Sequence, residues 1–170
     1  VGASVVNALS EWMEVDNCYE GERYTERFER GKVARPFTHV GSSDGKHGLY
    51  VRFMPDPTIF EETVFDYDTI LNRLREQAFL NAGVRIVLRD ERTPGQLGLP
   101  EGVEPKKDVV LCYEGGIKSF VEHLNNVRRL AMIHPDVIYM RGEKGDSIAE
   151  VAMQYNDSSN ENIMSFANNM

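Results

Sequence analysis

Cysteine is scarce in this chain of 170 residues: Cys18 and Cys112 are its only two, far apart in sequence. A disulfide scaffold or a zinc module needs more thiols at closer spacing, so both are expected reduced and buried as inert core thiols. No apolar run approaches the roughly 18–20 residues of a membrane-spanning helix, and the expectation is a cytoplasmic chain with no membrane contact. Basic residues are in deficit, with 19 Lys+Arg against 27 Asp+Glu and a net charge of −8. A free-standing nucleic-acid binder should instead carry a basic footprint. The four histidines, His39, His47, His123 and His134, include no pair at a metal-ligand spacing. They read as surface or capping residues. Gly-Lys-Ser/Thr is absent, so there is no P-loop. Val1 opens no basic n-region or hydrophobic core of a signal peptide. Both ends lie within patterned sequence, and an internal piece of a longer protein is expected.

What is present is globular: 41% hydrophobic and 27% charged residues. Ser4 caps a short buried helix to Leu9. Trp12 begins a strand that runs on to Cys18 and Tyr19, and Glu20-Gly21-Glu22 turns it into a second over residues 23–30. Residues 37–40 and 49–53 are further strands around a polar loop at 41–46, and Pro55-Asp56-Pro57 stops the chain firmly. Asp66 or Asp68 caps a helix in which Tyr67, Ile70, Leu71, Leu74 and Ala78 share a face, with Gly83 at its C-terminal end. Residues 84–90 and 109–113 alternate as strands around a Pro/Gly-rich loop at 93–107. After Gly115-Gly116, residues 117–130 form a helix with Phe120, Val121, Leu124 and Val127 on one face. Residues 137–140, 148–155 and 163–166 read as strands. The class is α+β, with a domain boundary at Gly115-Gly116.

Chemistry is thin on this reading. Asp66 with Asp68 and Glu61 with Glu62 are explained by helix capping and a solvated edge. Collinear blocks say more. Val1-Gly2-Ala3-Ser4-Val5-Val6-Asn7-Ala8-Leu9 resembles the end of the glycine-rich ATP lid of type IIA topoisomerases. Val51-Arg52-Phe53, Asn72-Arg73-Leu74-Arg75-Glu76-Gln77-Ala78-Phe79-Leu80-Asn81, Tyr113-Glu114-Gly115-Gly116-Ile117, Gln154-Tyr155-Asn156-Asp157 and Glu161-Asn162-Ile163 follow in order. Together they resemble the DNA gyrase B-subunit family, more than its topoisomerase IV paralogue or a non-catalytic GHKL module.

That resemblance implies the later part of a GHKL-type ATPase α/β sandwich over residues 1–114. The opening of a ribosomal-protein-S5-like transducer domain would follow over 115–170. It implies ATP and Mg²⁺ as cofactors of the parent, and negative supercoiling by double-strand DNA passage. The implied partners are the gyrase A subunit in an A2B2 heterotetramer, double-stranded DNA, a second B subunit on ATP binding, and aminocoumarin drugs at the ATP site. The nucleotide-binding residues implied here are Val1, Gly2, Ala3, Leu49 and Val51. Gly2 belongs to the lid, and Ala3 and Val51 line an adenine pocket. No catalytic or metal-binding residue is implied within the chain; those groups would lie before Val1 and after Met170. Two departures stand out. Leu49 replaces a threonine whose hydroxyl reaches adenine through water, and Tyr19 replaces a rim arginine used by aminocoumarins.

Overall fold

The computed structural model of the chain describes every residue except Val1, Glu101, Glu104, Lys106, Lys107 and Met170. Two compact units result, residues 1–65 and 66–170. The first is a short helix feeding a meander: α1 (Gly2–Ala8), β1 (Ser10–Tyr19), β2 (Glu22–Glu29), β3 (Lys32–Ser42) and β4 (Gly48–Pro55). Both two-residue turns hold positive φ throughout, at Glu20 (50°) and Gly21 (83°) and at Arg30 (46°) and Gly31 (75°). That backbone matches the twist of paired strands, which is why so little chain suffices to reverse it. The resulting antiparallel sheet has the order β3-β2-β1-β4.

Alternation gives this sheet two unlike faces. On one, Glu14 accepts hydrogen bonds from Arg27 (2.6 Å) and Arg52 (2.5 Å), and Asp16 pairs with Arg23. Arg52 and then Arg27 hold the Glu14 carboxyl below its usual range. Both guanidinium groups also lie over the Trp12 ring, at 5.3 and 5.8 Å from its centroid. The other face carries Met13, Val15 and Asn17 of β1 opposite Phe53, Val51 and Leu49 of β4.

The stop at Pro55-Asp56-Pro57 is a buried polar knot. Asp56, 1% exposed, accepts from Arg30 Nε (2.7 Å), Thr58 Oγ1 (2.7 Å) and Thr58 N–H (2.9 Å). Arg30 foremost, then Thr58, lower its pKa to about 2. A carboxyl with a depressed folded pKa stabilises the fold above its unfolded pKa, about 3.9, and that contribution vanishes as pH falls through about 2. Between about pH 4 and 2 the stability of this unit should fall. Asp56→Asn should lower it at pH 7 and flatten that acid limb, as denaturant unfolding at several pH values would show. An unchanged acid limb would contradict this account.

The second unit contains α2 (Tyr67–Leu80), the pair β5 (Ile86–Leu88) with β6 (Val109–Leu111), α3 (Gly116–Arg128), and the hairpin β7 (Ile138–Lys144) with β8 (Ser147–Met153). Asp66 caps α2, its carboxylate accepting from Thr69 N–H at 2.7 Å. The C-cap is Asn81 rather than Gly83: its amide and backbone N–H both donate to Gln77 O. Phe79 is the centre of the core, with Tyr113, Phe120 and His123 around its ring.

Several expectations are corrected. The helix α1 starts at Gly2 and buries no residue. Cys18 is only half-buried and Cys112 is exposed. Val127 is exposed, because α3 ends at Arg128 and its last turn is held instead by Asn125. The Asn125 amide donates to Gln154 Oε1 (2.9 Å) and accepts from Asn156 Nδ2 (3.3 Å). Residues 163–166 are not a strand; Phe166 reaches the Phe120 ring at 6.3 Å, so its apolar character reports packing rather than a ladder. Among the described residues no helix is long and apolar enough to cross a membrane.

Candidate functional site

Leu49 and Val51 stand two residues apart on β4, so they share a face while Tyr50 turns to the other. Val51 is opposite Val15 and Leu49 opposite Asn17 on β1. Directly paired residues of an antiparallel ladder project to the same side with Cβ atoms about 4.5–5.5 Å apart. The sheet therefore presents a flat apolar strip with one amide in it, and Tyr19 lies beyond the amide at the end of β1. Leu49 is 66% exposed, Val51 44% and Tyr19 53%. An exposed strip of branched aliphatics can take one face of a planar ring, as purine pockets require.

Two of the remaining residues implied for the site lie on α1. Gly2 and Ala3 are exposed in its first turn, and Val1 falls outside the described residues. The helix runs straight into β1, with Ser10 Oγ donating to Val6 O at 2.6 Å. The structure thus brings Leu49 and Val51 together on one face of the sheet, and Gly2 and Ala3 are exposed on α1.

A groove of about 370 Å³ is lined by Asp16, Arg23, Lys46, His47, Leu49 and Tyr50 among others. It is polar and paired within itself at Asp16–Arg23, so it suits water better than a planar base. Among the described residues, no group of three His, Cys, Asp or Glu could hold a metal ion. The histidines serve structure. His39 bonds Glu22, and His134 bonds Asp136 O through Nδ1 and Tyr155 N–H through Nε2. His123 packs against Phe79, where burial lowers its pKa.

Asn17 escaped the sequence reading. The signal was present: Met13, Val15 and Asn17 alternate in one strand, which puts a polar residue on the apolar face.

Comparison with known proteins agrees with the fold. A family model described as DNA gyrase B matches residues 116–170. The chain is 48% identical over its whole length to the B subunit of DNA gyrase from Clostridium acetobutylicum, of which it covers 24%. It is 45% identical to the B subunit of DNA topoisomerase 4 from Enterococcus faecalis, again over its whole length and 23% of that protein. In structure, 99% of the chain superimposes on 43% of the 43K ATPase domain of Thermus thermophilus gyrase B, solved in complex with an aminocoumarin, at a TM-score of 0.81 and 35% identity. The chain spans about a quarter of the length of the curated relatives it matches.

Proposed function

From a chain that belongs to the DNA gyrase B family of type IIA topoisomerases, we propose part of an enzyme that couples ATP binding and hydrolysis to negative supercoiling of DNA. The observation that carries this reading is the likeness to the gyrase B ATPase domain over 99% of the chain. Residues 1–114 would be the later part of that ATPase domain and residues 115–170 the opening of the transducer, a division supported by a family match that begins at Gly116.

A nucleotide base would lie on Leu49 and Val51, with Ala3 beside it, and the Val1-Gly2 lid would approach the phosphates. The exposed aliphatic strip fits such a base. The magnesium of this proposal is assigned, by the family resemblance, to the longer parent. In the parent, the partners would be the gyrase A subunit in an A2B2 assembly, double-stranded DNA and a second B subunit upon ATP binding. A cytoplasmic location follows from that role. The second reading is the B subunit of topoisomerase IV, favoured by the 45% identity to one such protein, with decatenation as the principal activity.

The parent-length protein, joined with its A-type partner, is expected to supercoil relaxed circular DNA with ATP. Decatenation without supercoiling would favour the second reading, and neither activity would refute both. The 170-residue chain by itself should show no ATP turnover above a blank, because phosphoryl transfer needs a positioned base and metal. Turnover abolished by a substitution inside the chain would overturn that expectation.

A further inference from the structure

We propose that Arg30 and Asp56 are positioning residues for the nucleotide: their ion pair holds α1, and with it Gly2, in the pose that meets the phosphates. This rests on the reading above that the lid approaches the phosphates. Backbone contacts from two distant segments converge on the junction between α1 and β1. Asp56 N–H donates to Leu9 O (3.1 Å), and Arg30 N–H donates to Glu11 O (3.2 Å). Ser10, 1% exposed, ties the junction back to the helix through its bond to Val6 O. The turn between β2 and β3 is pressed against the same end of α1, since a Cβ on Gly31 would lie 3.3 Å from Ala8 Cα.

The side chains join these two grips. Arg30 Nε–H donates to Asp56 Oδ2 at 2.7 Å, so the turn and the chain stop brace each other across the end of α1. Asp56 is buried by this chain alone, so the bond does not depend on what the longer parent adds. A charge-assisted bond to a buried carboxylate is among the stronger local contacts, and without Arg30 only Thr58 donates to that carboxylate among the described residues. The proposed base strip lies elsewhere. Val51 stands four residues before Pro55 on β4, about 13 Å along an extended strand. Loss of the pair therefore acts on the pose of α1, and apparent affinity falls with the fraction of molecules that keep the competent pose.

The experiment titrates ATP and adenosine at equilibrium against parent-length protein carrying Arg30→Met or Arg30→Lys. Arg30→Met should weaken ATP about tenfold, the effect of one charge-assisted hydrogen bond. Adenosine has the base and no phosphates, so its affinity should change by less than about twofold, which also shows that the variant is folded. Arg30→Lys keeps the cation and should recover most of the loss. Where Arg30→Met does not fold, Arg30→Gln, a neutral donor of similar length, should show a smaller loss of the same kind. Equal weakening of ATP and adenosine would mean that the pair serves only the stability of the sheet. That result, or unchanged ATP binding, overturns the proposal while leaving nucleotide binding itself intact. Failure of the unsubstituted protein to bind ATP would overturn the proposed function, and this inference with it.

Discussion

Phe79→Ala is expected to cost about 3–5 kcal/mol, a loss that would leave a marginally stable unit largely unfolded. Phe79 is 1% exposed, on the last turn of α2. Its ring centroid lies 3.7 Å from Tyr113 and 4.8 Å from Phe120, both stacked, and 5.2 Å from His123. One side chain thus ties α2 to the end of the β5–β6 pair and to α3. Close packing continues beside it: a Cβ on Gly116, at φ +55°, would lie 3.3 Å from Ala82 Cβ and 3.7 Å from Phe79 O, so the shell has little freedom to collapse into a void. A cavity that cannot close adds its own cost to the lost transfer energy. Val127→Ala is the control, since that residue is 66% exposed and should change stability by no more than about 0.5 kcal/mol. Denaturant unfolding of the three proteins tests the pair. Similar midpoints for Phe79→Ala and the unsubstituted chain would mean that this aromatic cluster does not hold the unit together.

The contrast between Phe79 and Val127 shows what sequence could and could not convey. Periodicity put a helix after Asp66 or Asp68, running to about Leu80, and placed Tyr67 and Ala78 on its apolar face, both of which are buried in α2, because a long amphipathic helix with an Asp cap carries its own signal. The first hairpin turn was equally legible from Glu20-Gly21, since the turn needs positive φ and the sequence supplies it. Val127 fails for a different reason. Its spacing is right for the stripe of α3, but the left-handed Arg129 (φ 55°) ends the helix and the Asn125–Gln154–Asn156 contacts decide which side turns inward. Those partners are some thirty residues away, outside any local window. The short β5 is similar: Arg92 bonds Asp90 and Arg89 bonds Asp108, which takes the chain out of the ladder. At the site, family resemblance supplied Leu49 and Val51, whereas Asn17 became visible only through the β1–β4 register. Pairing of strands separated by a whole hairpin is tertiary information.

That register also sets the expectation for drug binding. Restoring Leu49→Thr and Tyr19→Arg together in the parent-length protein should tighten an aminocoumarin roughly 10- to 100-fold. A relative of this fold was solved with such a compound bound. Leu49 and Tyr19 lie on the same side of the sheet as Val51, and both are well exposed, so new polar atoms there would point outward rather than into the core. The hydroxyl adds one donor–acceptor group beside Asn17, worth about fivefold. The guanidinium contributes more, because a charge-assisted hydrogen bond is roughly twice as strong as a neutral one and the planar cation can stack on an aromatic ring. Tyr19 cannot supply that charge, and its ring is already tilted against His47 at 6.1 Å. ATP should respond differently. On the proposed placement the base lies against position 49 and no part of the nucleotide is assigned to position 19, so Leu49→Thr should tighten nucleotide modestly and Tyr19→Arg should leave it nearly unchanged. Titration of drug and nucleotide against each single variant and the double separates the two contributions. Drug affinity unmoved by Tyr19→Arg would show that the end of β1 does not border the drug site.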